Sequence, residues 1–257
     1  MIRCILIRTI GERVSPALLF YWEDCAMLLT SEQVSAGHPD KICDQIADAV
    51  VTDCLRHDRN SRVAVECMIK EYDVTICGEI TSTHTPDFET LARRVLLPLT
   101  GEEESGAYRV AVHITRQSPD IARGVDAQGA GDQGIVFGYA TDETPRMLPV
   151  PFVLATDSLE RLRDLKSPIL LPDAKSQVTY DSLRKRVDTF LISTQHQADA
   201  AVEDVRCTVK RIMRDTAQAH GLNTDFRALV NPTGRFVVGG SFADTGVTGR
   251  KIVADTY

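Results

Sequence analysis

The sequence predicts an α+β fold built from two successive modules, each ordered helix–strand–strand–helix–strand. Three observations carry that prediction. Segments with 3.6-residue apolar periodicity alternate with segments of period two. The same order of elements occurs twice. A glycine-rich stretch without periodicity, residues 116–138, separates the two occurrences. A duplicated module, each sheet covered on one face by helices, is the economical explanation; two α+β halves alike by chance are the alternative.

Taken in order, LLTSEQVS after Met27 reads as a strand-like start. The first helix opens at His38–Pro39–Asp40 and repeats apolar residues at Ile42, Ile46, Ala49, Val50 and Cys54. Pro39 loses no hydrogen bond in a first turn, and Asp40 meets the positive end of the helix dipole. Strands are predicted over 62–70 and 73–80, with Val63, Val65, Cys67 and Ile69 on one face and Glu66 on the other. A second helix starts near Pro86, with Thr85 as its cap, and carries Phe88, Leu91 and Val95. AYRVAVHIT closes the first module as a strand, with Tyr108, Val110, Val112 and Ile114 on one face. The second module has a helix over 149–165, strands over 176–180 and 187–193, an amphipathic helix over 199–220 and a strand near 227–231.

Composition bounds the class. With 257 residues, 43% hydrophobic and 25% charged, the chain is neither disordered, collagen-like nor a coiled coil, and its length suits two domains. No apolar run reaches the roughly 18 residues of a membrane span. The net charge of −7 argues against a general nucleic-acid surface, which needs a basic face, but leaves room for a local basic pocket. Seven cysteines, an odd number without a CxxC pair, fit neither a zinc site nor a disulfide framework; reduced thiols in the cytoplasm are the simple reading. Residues 1–26 read differently from the rest, holding Trp22 and the short run ALLFYW between Pro16 and Glu23–Asp24. They are expected to be an extension ahead of a start at Met27. A mitochondrial presequence is the weaker alternative, because Glu12, Glu23 and Asp24 are unusual there.

Singly, the polar motifs are weak. GHPDK is more often a helix cap, Glu66 and Glu79 more often solvated strand residues, PDAKSQV a turn, and TGRK a basic turn. Together they are specific: GHPDK (37–41), GEIT (78–81), QSPDI (117–121), GAGDQG (129–134), FGYATDET (137–144), PDAKSQV (172–178), STQH (193–196), NPTGRFVVGG (231–240) and TGRKIVADTY (248–257) occur in that order. In this the chain resembles the S-adenosylmethionine synthetases, or methionine adenosyltransferases, over about residues 28–257.

The resemblance implies their fold, with two of three pseudo-threefold repeats present: an N-terminal module over 27–116, a gating loop over 117–128, a central module over 129–236, and the start of a third domain over 237–257. It implies a cytoplasmic transferase that makes S-adenosylmethionine from ATP and L-methionine and hydrolyses the bound triphosphate to pyrophosphate and phosphate. Thioether sulfur needs no general base, so catalysis rests on alignment and on cations that meet a departing polyphosphate. His38, Lys41, Asp132, Lys175, Arg250 and Lys251 match catalytic positions. His38, Asp173, Ala174, Lys175, Arg235, Phe236, Asp244, Arg250 and Lys251 match positions that contact ATP. Glu79, Gln117 and Asp244 match those that hold methionine, and Gln117, Ser118, Pro119, Asp120 and Ile121 lie in the gating loop. Asp40, with Glu32 as a weaker helper, matches a magnesium carboxylate, and Glu66 a potassium ligand. Family sites lie between subunits of a homodimer, often paired into a homotetramer; neither nucleic acid nor membrane is implied as a partner.

Departures from the pattern accompany the match. Ala36 stands where the family has an acidic residue, KSPILL (166–171) replaces a segment near NGxLPWLR, and the loop between Gly124 and Gly129 is short. The chain stops at Tyr257, where the family continues into a third module with further phosphate-binding groups. The expectation is a fragment that is inactive alone; the alternative is a short, catalytically inactive paralogue that binds ATP or methionine or joins a full-length subunit.

Overall fold

The computed structural model describes residues 28–118 and 138–255. The extension 1–26, the loop residues Pro119, Asp120 and Ile121, and Asp132 lie outside the described residues. The first part runs β1 (Leu28–Val34), α1 (Pro39–His57), β2 (Arg62–Lys70), β3 (Asp73–Thr81), α2 (Phe88–Thr100), α3 (Glu102–Ala107) and β4 (Arg109–Thr115). The second runs α4 (Val150–Asp164), β5 (Leu170–Asp181), β6 (Arg186–His196), α5 (Val202–Ala219) and β7 (Arg227–Val230). Three short pieces follow: α6 (Gly240–Ala243), β8 (Gly246–Val247) and α7 (Ile252–Asp255). No described helix is long and apolar enough to cross a membrane.

The doubled order expected of an α+β protein is present, as α1–β2–β3–α2–β4 and α4–β5–β6–α5–β7. The repeat extends to strand pairing. In each copy the first two strands pair antiparallel and the second and third pair parallel. The fourth strand of each sheet comes from outside its own copy. β1 precedes the first copy but pairs antiparallel with β5 of the second, from Leu28 opposite Asp181 to Val34 opposite Lys175. β8 follows the second copy but pairs antiparallel with β2 of the first, Met68 opposite Val247 and Ile69 opposite Gly246. The sheets are therefore ordered β1-β5-β6-β7 and β4-β3-β2-β8. A division of the chain at the glycine-rich segment follows the sequence, while the hydrogen bonding crosses it in both directions.

Each sheet buries one face beneath its helices. Val65, Cys67, Ile69, Val74 and Ile76 pack under Ile42, Ile46 and Val50 of α1 and Leu91 and Leu96 of α2. Val178, Val187, Phe190 and Ile192 pack under Leu154 and Leu159 of α4 and Val209 and Met213 of α5. The period-two pattern of β2 is the cause: Val65, Cys67 and Ile69 are buried while Ala64, Glu66 and Met68 are exposed.

The structure corrects two expectations of local structure. α2 is capped by Asp87, whose carboxylate accepts the Thr90 N–H at 3.1 Å, so Thr85 and Pro86 stay in the loop. PDAK is strand and not turn. β5 starts at Leu170, and a register shift between Leu170 and Ala174 accommodates Pro172, which has no N–H for the ladder. Ser35, just past β1, holds it there: its N–H donates to the Ala174 carbonyl at 2.8 Å and its hydroxyl accepts the Ala174 N–H at 2.7 Å.

Candidate functional site

The chain between β1 and α1 lies against β5. A Cβ on Gly37 would come within 2.5 Å of Pro172, so only glycine lets the two backbones meet. This contact puts His38, at the helix N-cap, beside the Asp173–Lys175 stretch. On the other side, Gly246 of β8 passes the first turn of α1 so closely that a Cβ would meet the Pro39 carbonyl at 2.2 Å. The Val247 N–H then donates to Asp40 Oδ1 at 2.9 Å. Three segments far apart in sequence thus converge on the start of α1.

His38 is 2% exposed. Burial, reinforced by the charges of Lys251 and Lys175, lowers its pKa to about 4, against weaker opposition from Asp40 and Asp244. It is therefore neutral at pH 7. Its Nδ1 accepts the Asp40 N–H at 3.2 Å, which leaves the ring proton on Nε2. Asp40 is buried as well. Burial opposes its ionisation, but the bond from Lys251, the Val247 N–H and the charges of Lys251 and Arg250 outweigh it and hold the carboxyl below its usual range. The Lys251 ammonium donates to Asp40 Oδ2, and an Arg250 nitrogen lies 4.0 Å from Oδ1.

Asp173 faces the same cluster. Its Oδ2 accepts the Gly240 N–H at 2.8 Å, while Oδ1 is buried without a partner among the described residues. Burial raises its pKa, opposed by that N–H and by the Lys175 charge. Lys41 points to a neighbouring carboxylate pair, donating to Asp44 at 3.0 Å and to Asp255. Asp44 also accepts the Gly249 N–H at 3.0 Å, so it ties TGRK to the helix as well.

Other predicted residues lie apart. Glu66 is exposed on β2 and accepts the Thr248 hydroxyl. Glu79 is exposed on β3, opposite Ala64 and Thr115, whereas β8 joins the sheet at Met68. Four residues of strand, about 13 Å, separate those positions along β2. Gln117 sits at the same end, two residues past β4, its Oε1 buried and without a partner among the described residues. Ser118 is the last described residue before the gap. Glu32 is exposed on β1 opposite Gln177. Arg235 donates to the Ala198 carbonyl at 2.9 Å. Phe236 is tied to His196 through its own N–H at 3.1 Å and its carbonyl at 2.9 Å. No described bond joins this pair to the His38 cluster; the chain reaches it at Gly240.

Sequence reasoning misses Asp44, Ser35 and Gly246, and it gives no role to Gly37 and Asp255 although GHPDK and TGRKIVADTY contain them; all five hold the cluster together. Only the Lys41–Asp44 pair, three apart on one helix, has a local signal. A cavity of about 800 Å³ between α4 and α5, lined by Arg146, Asp157, Arg161 and Arg211, shares no residue with the cluster.

As metal chemistry, Asp40 offers one carboxylate amid cations, with both oxygens already engaged. That suits an ion whose remaining ligands come from substrate phosphates and water, as magnesium's usually do, and not an all-protein cage. The exposed Glu66 carboxylate beside the Thr248 hydroxyl is an oxygen-only donor set of the kind alkali cations accept.

A family model described as S-adenosylmethionine synthetase, N-terminal domain, matches residues 26–119, and one described as the central domain matches residues 127–236. The S-adenosylmethionine synthase of Mycoplasma capricolum is 43% identical, over 90% of this chain and 64% of the relative. That of Mesoplasma florum is 42% identical and S-adenosylmethionine synthase 1 of Frankia casuarinae 44%, each over 90% of this chain and 66% of the relative. The chain thus spans just under two thirds of the length of these relatives.

Proposed function

The chain belongs to the S-adenosylmethionine synthetase family, and from that premise we propose that it carries the phosphate-binding side of a site that joins L-methionine to ATP. The observation that supports this most is the convergence of HPDK, DAK and TGRK on one buried, neutral histidine.

In this reading the methionine sulfur attacks C5′ of ATP. The S–C5′ bond forms as the C5′–O bond breaks, the electron pair leaves with the triphosphate, and sulfur becomes a sulfonium. His38 donates its Nε2–H to the departing oxygen; being neutral, it does so without binding the phosphates as a fixed charge. Lys175, Arg250 and Lys251 supply the positive charge that the triphosphate meets. Asp40 holds Lys251 until phosphate oxygens compete for it. Asp173 Oδ1, buried without a partner among the described residues, is suited to a hydroxyl or amine donor of the nucleotide. Asp40 would be the protein's magnesium ligand and Glu66 its potassium ligand; the ions supply charge that offsets the triphosphate. Hydrolysis of the bound triphosphate to pyrophosphate and phosphate uses the same cations.

Glu79 and Gln117 would hold methionine, the Glu79 carboxylate pairing with its ammonium group. They lie at the other end of the sheet from His38, so a complete site needs a second subunit to bring the two sets together. A homodimer or homotetramer follows from that reading, and the cytoplasm is the location inferred with the family.

Calorimetric titration of the 257-residue chain with magnesium tripolyphosphate tests it. Saturable binding is expected, weakened at least about tenfold by Lys175→Ala or Lys251→Ala, since each removes a charge-assisted contact of roughly 1.5–3 kcal/mol. Glu79→Gln should leave it unchanged. No binding, or equal binding by the lysine variants, overturns the assignment. Labelled methionine added with ATP to the same samples separates an enzyme from a protein that binds without turnover.

A further inference from the structure

The far end of α1 carries a second cluster of chemistry-bearing side chains that the reaction above does not use. Asp53 and His57, four residues apart on one helix face, meet His84 from the loop after β3. Their ligand-capable atoms all lie within 4.8 Å of one another, and among the described residues no other trio of His, Cys, Asp or Glu does so. His84 Nε2 is 2.7 Å from Asp53 Oδ2. His57 Nδ1 is 2.9 Å from the Asp53 carbonyl oxygen and 3.9 Å from its Oδ1. The two imidazole rings stack with centroids 3.9 Å apart and planes 20° from parallel. At 1.5 Å per residue, Asp53 stands roughly 20 Å along the helix from Asp40.

The backbone under this trio is held from several sides. Asp58, immediately after α1, accepts both the N–H and the hydroxyl of Thr83, at 2.9 and 3.1 Å. The Ser61 hydroxyl donates to Ser82 Oγ at 2.8 Å, and Ser82 Oγ accepts the His84 N–H at 3.0 Å. These bonds fix the loop that carries His84 against the helix that carries the other two. Outer partners of this kind orient metal-binding imidazoles. The trio itself remains open to solvent, with the His57 side chain 54% exposed.

We propose that Asp53, His57 and His84 form a site for a first-row divalent transition-metal ion of the Zn²⁺ class, clamping the end of α1 to the β3–α2 loop. Two imidazoles and one carboxylate are the donors such ions prefer, whereas magnesium and calcium take oxygen. Around a tetrahedral ion with bonds of about 2.0–2.1 Å, ligand atoms stand roughly 3.3 Å apart. The Asp53–His84 edge is already shorter than that. The rest of the closure needs the exposed His57 ring to rotate out of its stack so that its in-plane lone pair meets the ion. The ion replaces the hydrogen bond between His84 and Asp53; neutral His84 keeps its proton by moving it from Nε2 to Nδ1. Water completes the fourth position.

The test uses the full chain, stripped with a chelator and dialysed, then titrated with Zn²⁺ by calorimetry and with Co²⁺ by visible absorption. One equivalent is expected, not displaced by excess Mg²⁺. His57→Gln and His84→Gln should each weaken it at least about tenfold, and the double variant should lose it. Zn²⁺ should raise the melting temperature of the wild-type chain and not that of the double variant. Circular dichroism of the metal-free proteins checks that substitution of the exposed His57 and the half-buried His84 leaves the fold intact. Absence of saturable binding overturns the site. So does one-equivalent binding that survives in the double variant, which would put the ion on other groups such as the exposed Cys77 and Cys207.

Discussion

His38 caps α1 by accepting a hydrogen bond, and the role proposed for it beside a polyphosphate adds a donated one; only the neutral ring does both, because an imidazolium has no acceptor. Burial keeps the ring neutral by holding its pKa near 4, and the Asp40 N–H bonded to Nδ1 leaves the remaining proton on Nε2. The same shift links this residue to stability. Unfolded, the ring binds a proton below its ordinary value of about 6.5; folded, it resists until about pH 4. The unfolded state therefore holds more protons across that window, and stability drops as pH falls through it. His38→Asn keeps a capping acceptor but removes the titration. Between pH 7 and pH 5 the wild-type chain should lose about 2 kcal/mol more than this variant in urea unfolding; equal losses would mean the ring is protonated while folded. At this scale the sequence was partly legible. GHPDK, DAK and TGRK stand out by side-chain type, and the fold brings the three together at the start of α1. The lowered pKa of His38 is not legible in the sequence, since it follows first from burial and then from Lys251 and Lys175, which reach it from segments more than 130 residues away.

Elements whose signal is periodicity match their predicted bounds closely. The strand predicted at 62–70 is β2, and the helix predicted at 199–220 contains α5 (Val202–Ala219), because one face of each is buried and the pattern records it. The pattern predicts only 176–180 of β5 (Leu170–Asp181), for the opposite reason. Pro172 and Asp173 look like turn residues, and only Ser35, from a distant loop, makes them strand. β8 has two residues and no pattern of its own. Its place is set by Gly246 against Pro39, a contact that sequence cannot register. Gly246→Ala forces a backbone collision and should cost about 2–3 kcal/mol, with loss of the Val247–Asp40 bond. Gly106→Ala, in α3 with open space around it, is the control and should be neutral or slightly stabilising. Urea midpoints of the two variants decide whether β8 is an integral strand of the sheet or a loosely attached end.

At the scale of the whole molecule, the two modules cannot be separated without leaving each sheet one strand short. Residues 35–118 lack β8 and expose the edge of β2, and residues 138–245 lack β1 and expose the edge of β5. Open edges of this kind template aggregation. Each piece expressed alone should be insoluble or unfolded, while the joined chain should unfold in one transition by circular dichroism and intrinsic fluorescence alike. Two well-separated transitions would mean that the exchanged strands contribute little. The exchange also sets a timetable. β1 leaves the ribosome first and waits for a partner whose last paired residue is Asp181; β2 waits from Ile69 until Gly246. At about 5–20 residues per second, the second delay lasts roughly 10–35 s. During it a half-finished sheet stands in the crowded cell with an unpaired edge. Synthesis of this protein should therefore depend on chaperones in proportion to how slowly it is translated.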